Sequence, residues 1–78
     1  MKKYQCYYIE PIFVNGRSYR GKRVDTKIFD TEEQAERYCN SHVGTIDVSD
    51  DINVDCEVLN DGLGSYIECE MMYDEIEV

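Results

Sequence analysis

The second half of this chain contains no lysine and no arginine. Residues 41–78 hold 11 aspartates and glutamates, whereas residues 1–40 hold all 8 lysines and arginines beside 6 acidic residues. A protein that binds nucleic acid presents a basic surface to the phosphate backbone. The distribution therefore argues against direct binding of nucleic acid and favours a partner that is itself basic.

Long apolar runs are also missing. No run approaches the ~20 residues that span a bilayer, and the two lysines near the start precede no apolar stretch long enough for a signal peptide. The 78 residues are 42% hydrophobic and include 7 tyrosines, which is enough apolar surface for one small folded domain. We therefore expect a single domain over residues 1–78, in the cytoplasm and without membrane contact.

Clustered metal ligands are absent as well. The single histidine is His42, and no two of the four cysteines have the close spacing of a zinc site: they are Cys6, Cys39, Cys56 and Cys69. Residues 51–55 begin like a calcium-binding EF-hand loop, but Cys56 stands where that loop needs glycine and Gly62 where it needs glutamate. We predict no metal, no cofactor and four free thiols, with Cys56 and Cys69 close enough for oxidation to join them.

Catalytic motifs are equally scarce. The sequence has no glycine-rich phosphate loop, no Gly-x-Ser-x-Gly and no His-Glu-x-x-His. Its carboxylates follow a predicted exposed strand, where little burial would separate their pKa values into an acid and a base. The sequence therefore predicts a protein that is not an enzyme.

What the chain does contain is a regular acidic stretch. Residues 52–58 alternate apolar and polar side chains, which is typical of a strand buried on one face. The dipeptide Asp61-Gly62 then predicts a two-residue hairpin turn. This turn would pair Asp55 with Glu68, and it would bring six apolar side chains to one face: Ile52, Val54, Cys56, Ile67, Cys69 and Met71.

The other face of this predicted hairpin carries like charges opposite one another, an arrangement that destabilises a sheet and suggests a use. Carboxylates two residues apart on a strand stand about 6.7 Å apart, on the length scale of a nucleic-acid backbone with one charge per about 3.4 Å of rise. The alternative is that the charge only keeps a small sheet soluble. We predict a partner-binding acidic face formed by Asp47, Asp51, Asp55, Glu57, Glu68, Glu70 and Asp74.

Residues 4–28 predict an earlier hairpin closed by Asn15-Gly16. Its pairing places Tyr7, Ile9 and Phe13 on the core side, together with Val24, Thr26 and Ile28, and predicts a bulge or an edge position near Pro11. The opposite side, which we call the Tyr/Arg face, would pair Tyr8 with Arg23. Its members are Tyr4, Tyr8, Ile12, Tyr19, Arg17, Arg23 and Lys27. Such a face is either an exposed sheet covered by cation–π contacts or a binding patch.

A helix is predicted between the two hairpins. Asp30 or Thr31 can cap it, and Ala35 and Tyr38 lie on its apolar face. We expect the helix to end within residues 41–44, with Gly44 as a candidate terminating glycine. A short strand over residues 45–48 follows, and residues 74–78 extend the last strand or fray. The sequence therefore predicts a two-layer α+β domain in the order β-β-α-β-β-β. Its mostly antiparallel sheet would have four to five strands built from two hairpins, with the helix packed on one face.

In size, acidity, tyrosine content and order of elements, the whole chain resembles small phage-encoded inhibitors of host defence. Anti-CRISPR proteins and DNA-mimicking anti-restriction proteins form this class. The resemblance implies a non-enzymatic inhibitor, an anti-CRISPR protein first of all, that acts in the host-cell cytoplasm. It would occlude the basic nucleic-acid site of a CRISPR effector complex or nuclease, as a monomer or a small homodimer.

The rival interpretation is a small protein–protein adaptor or regulator. It would work through the Tyr/Arg face, and the acidic face would then serve solubility alone. The two interpretations differ in their dependence on salt, because binding through the acidic face should weaken steeply as ionic strength rises.

Overall fold

The computed structural model describes residues 1–49 and 52–78. The described part contains one helix, α1 (Glu32–Ser41), and six strands, which are β1 (Lys2–Val14), β2 (Arg17–Phe29), β3 (Val43–Val48), β4 (Leu59–Asn60), β5 (Ser65–Glu70) and β6 (Met72–Glu77). The strands form two antiparallel sheets with the orders β2-β1-β6 and β3-β5-β4. The α+β class and the element order are confirmed, although the strands divide between two sheets.

The predicted turn of the first hairpin (β1 and β2) is confirmed. Asn15 and Gly16 both have positive φ, at 54° and 81°, as a two-residue turn between twisted strands requires. Val14 and Arg17 form the pair that closes it. The local chemistry of the dipeptide is therefore sufficient to place this turn.

The first hairpin also contains the predicted bulge. Its pairing shifts by one residue between Glu10 and Ile12, on either side of Pro11. A Cβ atom on Gly21 would lie 2.2 Å from the carbonyl oxygen of Glu10, so a larger residue could not let the strands approach here. From the pair Glu10–Lys22 to the pair Tyr7–Asp25 the register is displaced by one residue, which moves these side chains of β2 to the other face. A second shift between Cys6 and Tyr7 restores the original face for residues 27–29.

The core side of β1 is the opposite of the predicted one, whereas Val24 of β2, which pairs with Tyr8, lies on the core side as predicted. The prediction that Tyr7, Ile9 and Phe13 face the core is wrong, because α1 packs on the other side of β1. That side offers the small thiol of Cys6, which lets Ala35 of the helix come close. The buried cluster consists of Cys6, Ala35 and Met71, and around it pack Tyr4, Tyr8, Phe29, Tyr38, Cys39 and Tyr73.

Helix α1 begins where the sequence predicts and ends at Ser41, within the predicted range of residues 41–44. The hydroxyl of Thr31 accepts a hydrogen bond from the backbone N–H of Gln34 at 3.2 Å, so Thr31 is the N-cap. His42 is the C-cap and stacks on Tyr38 at 4.1 Å between ring centroids. Gly44 is not the terminating glycine, however, because it already belongs to β3.

Two residues join the sheets. A Cβ atom on Gly44 would lie 2.3 Å from the ring of Tyr8, so the missing side chain lets β3 pack against the first hairpin. Met71, only 6% exposed, stands between β5 and β6, where the chain passes from one sheet to the other. The predicted extension of the tail is a strand of its own, β6, which pairs with β1.

The predicted second hairpin is wrong in its register and in its partner. Strand β5 pairs along its length with β3, and β4 adds only the pairs Leu59–Tyr66 and Asn60–Ser65. The turn therefore spans residues 61–64 instead of two residues. Asn60 Oδ1 accepts a bond from the N–H of Gly62 at 2.8 Å, and such a side-chain bond to the backbone stabilises the wider turn.

Residues 52–58 alternate in burial as predicted but form no strand. Val54 and Cys56 are half-buried, whereas Asp55 is exposed. The N–H of Asp55 donates to the carbonyl oxygen of Gly16 at 2.8 Å, so the segment crosses the tip of the first hairpin. The predicted pairing of Asp55 with Glu68 is consequently wrong.

The molecule is long and thin. Its extents are 46 × 26 × 14 Å, and its radius of gyration of 14.5 Å exceeds the about 11–12 Å expected for a compact chain of this length. Few apolar side chains are fully covered in such a shape, and in the described residues these are Cys6, Ala35, Ile67 and Met71.

Candidate protein interface

Three of the seven predicted carboxylates lie on one face of the second sheet. Asp47 comes from β3, and Glu68 and Glu70 come from β5. Strand pairing sets Asp47 opposite Tyr66 and Glu68 opposite Thr45, so all of these side chains share the outer face. We call Asp47, Glu68 and Glu70, all of which are exposed, the acidic sheet face.

The charges of the acidic sheet face are not neutralised. Among residues 1–49 and 52–78, none of its carboxylates forms an ion pair, and the sequence has no lysine or arginine after residue 40. A shallow hollow in this face is lined by Thr45, Asp47, Asp61, Tyr66 and Glu68. The arrangement can accept hydrogen bonds from lysine or arginine side chains of another protein.

Asp55 does not belong to this face. Its two carboxylate oxygens each lie 3.1 Å from the backbone nitrogen of Ser18, which donates to them. This backbone N–H lowers the pKa of Asp55 because it stabilises the charged form. Asp55 therefore fastens residues 52–58 to the first hairpin.

Asp74 lies on the first sheet and is neutralised there. Its Oδ2 accepts a bond from Arg23 at 2.6 Å, and Arg23 also pairs with Asp25 at 2.7 Å. The hydroxyl of Tyr7 lies 3.5 Å from Asp74 Oδ1, and the guanidinium of Arg23 lies 3.8 Å from the Tyr7 ring centroid. Asp25, and after it Asp74, raises the pKa of Arg23 by hydrogen bonding.

Glu57 and Asp51 are the remaining predicted site residues. Glu57 is exposed within the segment that crosses the first hairpin, away from the pairing of β5 with β3. Asp51 lies outside the described residues. The seven carboxylates therefore do not form one hairpin face, and the structure brings together Asp47, Glu68 and Glu70.

The predicted Tyr/Arg face does not form as such. Tyr8 pairs with Val24, and Arg23 lies over Tyr7 on the opposite side of the sheet. Tyr4 also turns toward the buried cluster under α1. The bulge near Pro11 is the cause, because its one-residue shift moves Arg23 to the other face, whereas a second shift between Cys6 and Tyr7 returns Lys27 to the side of Tyr8.

Strand β2 nevertheless carries most of the positive charge. It is an edge strand of the first sheet and holds Arg17, Arg20, Lys22, Arg23 and Lys27. In the described part of the chain, Arg23 is the one of these five that forms an ion pair. The molecule thus presents a basic edge and, on its other sheet, an acidic face.

Sequence reasoning missed one exposed apolar residue beside the acidic sheet face. Leu63 is 96% exposed at the tip of the turn between β4 and β5. Its backbone N–H donates to Asp61 Oδ1 at 2.9 Å, which holds the leucine outward. The signal in the sequence was a leucine between two turn glycines, Gly62 and Gly64, where an apolar side chain has no core to enter.

No site for a metal ion is evident in the described residues, since no three histidine, cysteine, aspartate or glutamate side chains are placed to hold one. Within the same residues, no helix has the length and apolar character needed to cross a membrane. Nδ1 of His42 lies 2.9 Å from the hydroxyl of Ser41 and 3.0 Å from the carbonyl oxygen of Tyr38, an acceptor, so His42 packs at the end of the helix.

No protein-family model, curated protein or solved structure matches this chain.

Proposed function

We propose that this protein is a non-enzymatic inhibitor that binds a basic, nucleic-acid-handling site of a host defence complex through its acidic sheet face. An anti-CRISPR protein is the leading case. The observation that carries the proposal is the set of three exposed carboxylates, Asp47, Glu68 and Glu70. They share one face, and none forms an ion pair in the described residues.

The inhibition would be occlusion without chemistry. Lysines and arginines in a nucleic-acid groove attract a negative surface and steer its approach. Carboxylates on a hydrogen-bonded sheet are held at fixed spacings of about 6.7 Å along a strand. They need little ordering on binding, which lowers its entropic cost. Leu63, at the rim, adds an apolar contact that a phosphate backbone lacks.

The acidic residues of the first sheet are poorer candidates for this contact. Asp74 is bonded to Arg23 at 2.6 Å, and Glu75 to Lys2 at 3.0 Å. A partner would have to break these pairs before it gained new ones. The second sheet offers its charges without that cost.

A charge-neutral triple variant tests the proposal. In Asp47→Asn, Glu68→Gln, Glu70→Gln the side chains keep their shape and lose three charges. The matched control, Glu36→Gln, Glu75→Gln, Glu77→Gln, loses the same charge from α1 and β6. Each protein is titrated into DNA-cleavage assays with a panel of purified CRISPR effector complexes and restriction nucleases.

We expect the native chain and the control to inhibit at least one member of the panel. The sheet-face variant should lose at least tenfold in affinity, since truncating one side of a desolvated charge pair costs about 2–5 kcal/mol. Inhibition should also weaken between about 50 and 300 mM salt. Equal inhibition by the two variants, or none by the native chain, would contradict the proposal.

A second candidate is the adaptor or regulator, and one observation favours it. Arg17, Arg20, Lys22 and Lys27 have no ion-pair partner in the described residues and line an edge strand that can accept another chain. Neutralising Arg17, Arg20 and Lys22 to glutamine separates the candidates. Loss of partner binding in that variant alone would identify β2 as the working surface.

A further inference from the structure

Two thiols from distant parts of the chain meet between β1 and α1. The sulfur of Cys39 lies 3.7 Å from the sulfur of Cys6, although the residues are 33 positions apart. Cys6 is fully buried, and Cys39 is only partly buried. The contact arises from the packing of the helix on the strand, so sequence spacing gave no sign of it.

We propose that Cys6 and Cys39 form an oxidation site at which a peroxide converts the two thiols into a reversible disulfide. This inference is independent of the proposed function. Cys39 is the residue that an oxidant can reach, and Cys6 is placed behind it as the resolving thiol. The product would fasten α1 to β1.

The chemistry balances with hydrogen peroxide as the oxidant. The sulfur of Cys39 attacks one peroxide oxygen, the O–O bond breaks, and Cys39 becomes a sulfenic acid as water leaves. The sulfur of Cys6 then attacks the sulfur of Cys39, an S–S bond forms, the S–O bond breaks and a second water leaves. Two thiols are oxidised and one peroxide is reduced to two waters.

The geometry requires little movement. A disulfide has an S–S bond of about 2.05 Å, so the sulfurs must approach by about 1.7 Å from their 3.7 Å contact. The other bond of the Cys6 thiol is a weak one to the carbonyl oxygen of Ala35 at 3.8 Å. Oxidation removes that bond, so the carbonyl oxygen of Ala35 must then be bonded within the helix alone.

Burial sets the speed of the second step. It raises the pKa of Cys6 to about 11, with the hydrogen bond from Cys39 as the next cause. The thiolate is the attacking form, and it makes up roughly 1 part in 10,000 of Cys6 at pH 7. Closure should therefore be slow at neutral pH and accelerate about tenfold for each pH unit up to about pH 10.

Cys56 and Cys69, the pair suggested by the sequence, are less well placed. Burial, and after it the charge of Cys56, raises the pKa of Cys69, but no hydrogen bond like that between Cys39 and Cys6 joins these two sulfurs in the described residues. Cys56 instead donates to Asp55 Oδ1 at 3.5 Å, in the segment that does not pair with β5. The structure thus adds a second thiol pair, whose sulfurs are in direct contact.

A variant with two cysteines tests the site. In Cys56→Ser, Cys69→Ser only Cys6 and Cys39 remain, and the protein is treated with hydrogen peroxide. We expect a mass loss of about 2 Da and two missing thiols. Tryptic digestion should release residues 4–17 and 38–78 as one linked peptide. The Tm should rise by about 10 °C or more, because the link closes a long loop, and dithiothreitol should reverse all of these changes.

The native chain provides a second measurement if the double variant folds poorly. Cleavage before aspartates places the four cysteines in separate peptides, spanning residues 1–24, 30–46, 55–60 and 61–73. A link between the first two supports the site. Cys39→Ser in the native chain is the control and should abolish both the link and the Tm rise.

Three results would overturn the proposal. One is a linked pair of Cys56 and Cys69 with Cys6 still reduced. Another is oxidation of Cys39 to the sulfinic acid, a gain of about 32 Da, without loss of the Cys6 thiol. The last is a dimer joined between chains, which would show that Cys39 reacts outward and not with Cys6.

Discussion

The two sheets of this molecule treat charge in opposite ways. On the first sheet Arg23 lies between Asp25 and Asp74, and Lys2 pairs with Glu75, so cations and anions neutralise each other at short range. The acidic sheet face of the second sheet has no cation in its half of the sequence. Paired charges produce little field at a distance, whereas unpaired like charges produce a field that another protein senses. In the described residues the first sheet pairs Asp25, Asp74 and Glu75 internally and leaves the other cations of β2 unpaired, whereas the second sheet offers unpaired carboxylates outward.

The sheets also differ in what holds them. Helix α1 covers the first sheet and forms the buried cluster with Cys6 and Met71. The second sheet has no helix on it in the described residues and is attached through Gly44, Met71 and the crossing segment at Asp55. The comparison indicates that the second sheet is the less stable one and depends on its junctions.

The largest expected effect is at the junction between the sheets. Gly44→Ala would place a methyl group 2.3 Å from the Tyr8 ring, so ring and strand must separate. We expect a loss of about 1–3 kcal/mol in the free energy of unfolding, measured by urea denaturation. Gly64→Ala is the matched control, since its Cβ would meet nothing within 4 Å.

If both glycine variants lose the same stability, the contact with Tyr8 does not account for the effect. Shortening Tyr8 in the Gly44→Ala background gives a further check. Tyr8→Ala should relieve part of the clash, and the two changes should then be less than additive.

The second-largest expected effect is a pH dependence of stability that arises in the sheet covered by α1. Burial raises the pKa of Cys6 from 9.0 to about 11. Between pH 9 and 11 the folded state therefore keeps a proton that the unfolded state releases. The contribution of Cys6 to the free energy of unfolding is fully present below pH 9. It should fall by about 1.4 kcal/mol for each pH unit between 9 and 11. Urea denaturation of the native chain and of Cys6→Ala, both under reductant, measures the difference.

Cys69→Ala provides the comparison on the second sheet. Burial also raises the pKa of Cys69, but Cys69 is only partly buried. Its removal should change the alkaline slope less than removal of Cys6 does. A larger change for Cys69 would contradict the idea that the tightest packing lies under α1.

A smaller effect tests the charges themselves. Asp74→Asn removes a carboxylate that holds Arg23, and should lower the Tm by a few degrees. Glu68→Gln removes a carboxylate with like-charged neighbours and should leave the Tm unchanged or raise it slightly. Thermal unfolding at low salt measures both. A fall in Tm for Glu68→Gln would mean that the acidic sheet face also has a stabilising contact.

The smallest effect is local and concerns the crossing segment. Asp55→Ala should expose the amide of Ser18 to solvent, because the carboxylate is its acceptor. We expect faster hydrogen exchange at Ser18, and Asp47→Ala should leave it unchanged. The bond lowers the folded pKa of Asp55, so its stabilising effect should disappear as the pH falls through that lowered value. Slow exchange in Asp55→Ala would show that other contacts hold the segment.

Local signals in the sequence were sufficient where one residue or dipeptide determines a structure. Asn15-Gly16 specifies a turn through positive φ, and Thr31 specifies a helix start through its hydroxyl. Alternation in residues 52–58 correctly gave which side chains are covered. These features do not depend on which distant strand becomes the neighbour.

The features that depend on distant partners were not predictable. Strand β5 could pair with residues 52–58 or with β3, and the alternating pattern fits either neighbour. The wider turn after Asn60, and the hydrogen bond that the N–H of Ser18 donates to Asp55, favour pairing of β5 with β3. In the first hairpin the bulge was foreseen at Pro11, but its effect on the faces of β2 was not.

The candidate site follows the same rule. Charge composition predicted an acidic surface in the second half of the chain, and three carboxylates on the second sheet belong to it. Asp55 and Asp74 were assigned to that surface because sequence shows charge and not partners. In the fold, Asp55 accepts a hydrogen bond from Ser18 and Asp74 accepts one from Arg23. Each donor lies more than thirty positions away in the sequence.

The pairing of β1 with β6 has a consequence for how the protein folds during synthesis. Lys2 pairs with Glu77, 75 positions later, so the central strand of the first sheet lacks one neighbour until the last strand is made. Pairing over such a separation is slow, because a long loop must close before any contact rewards it. The nascent chain consequently exposes an aromatic strand edge for most of its translation. That interval is when aggregation competes with folding.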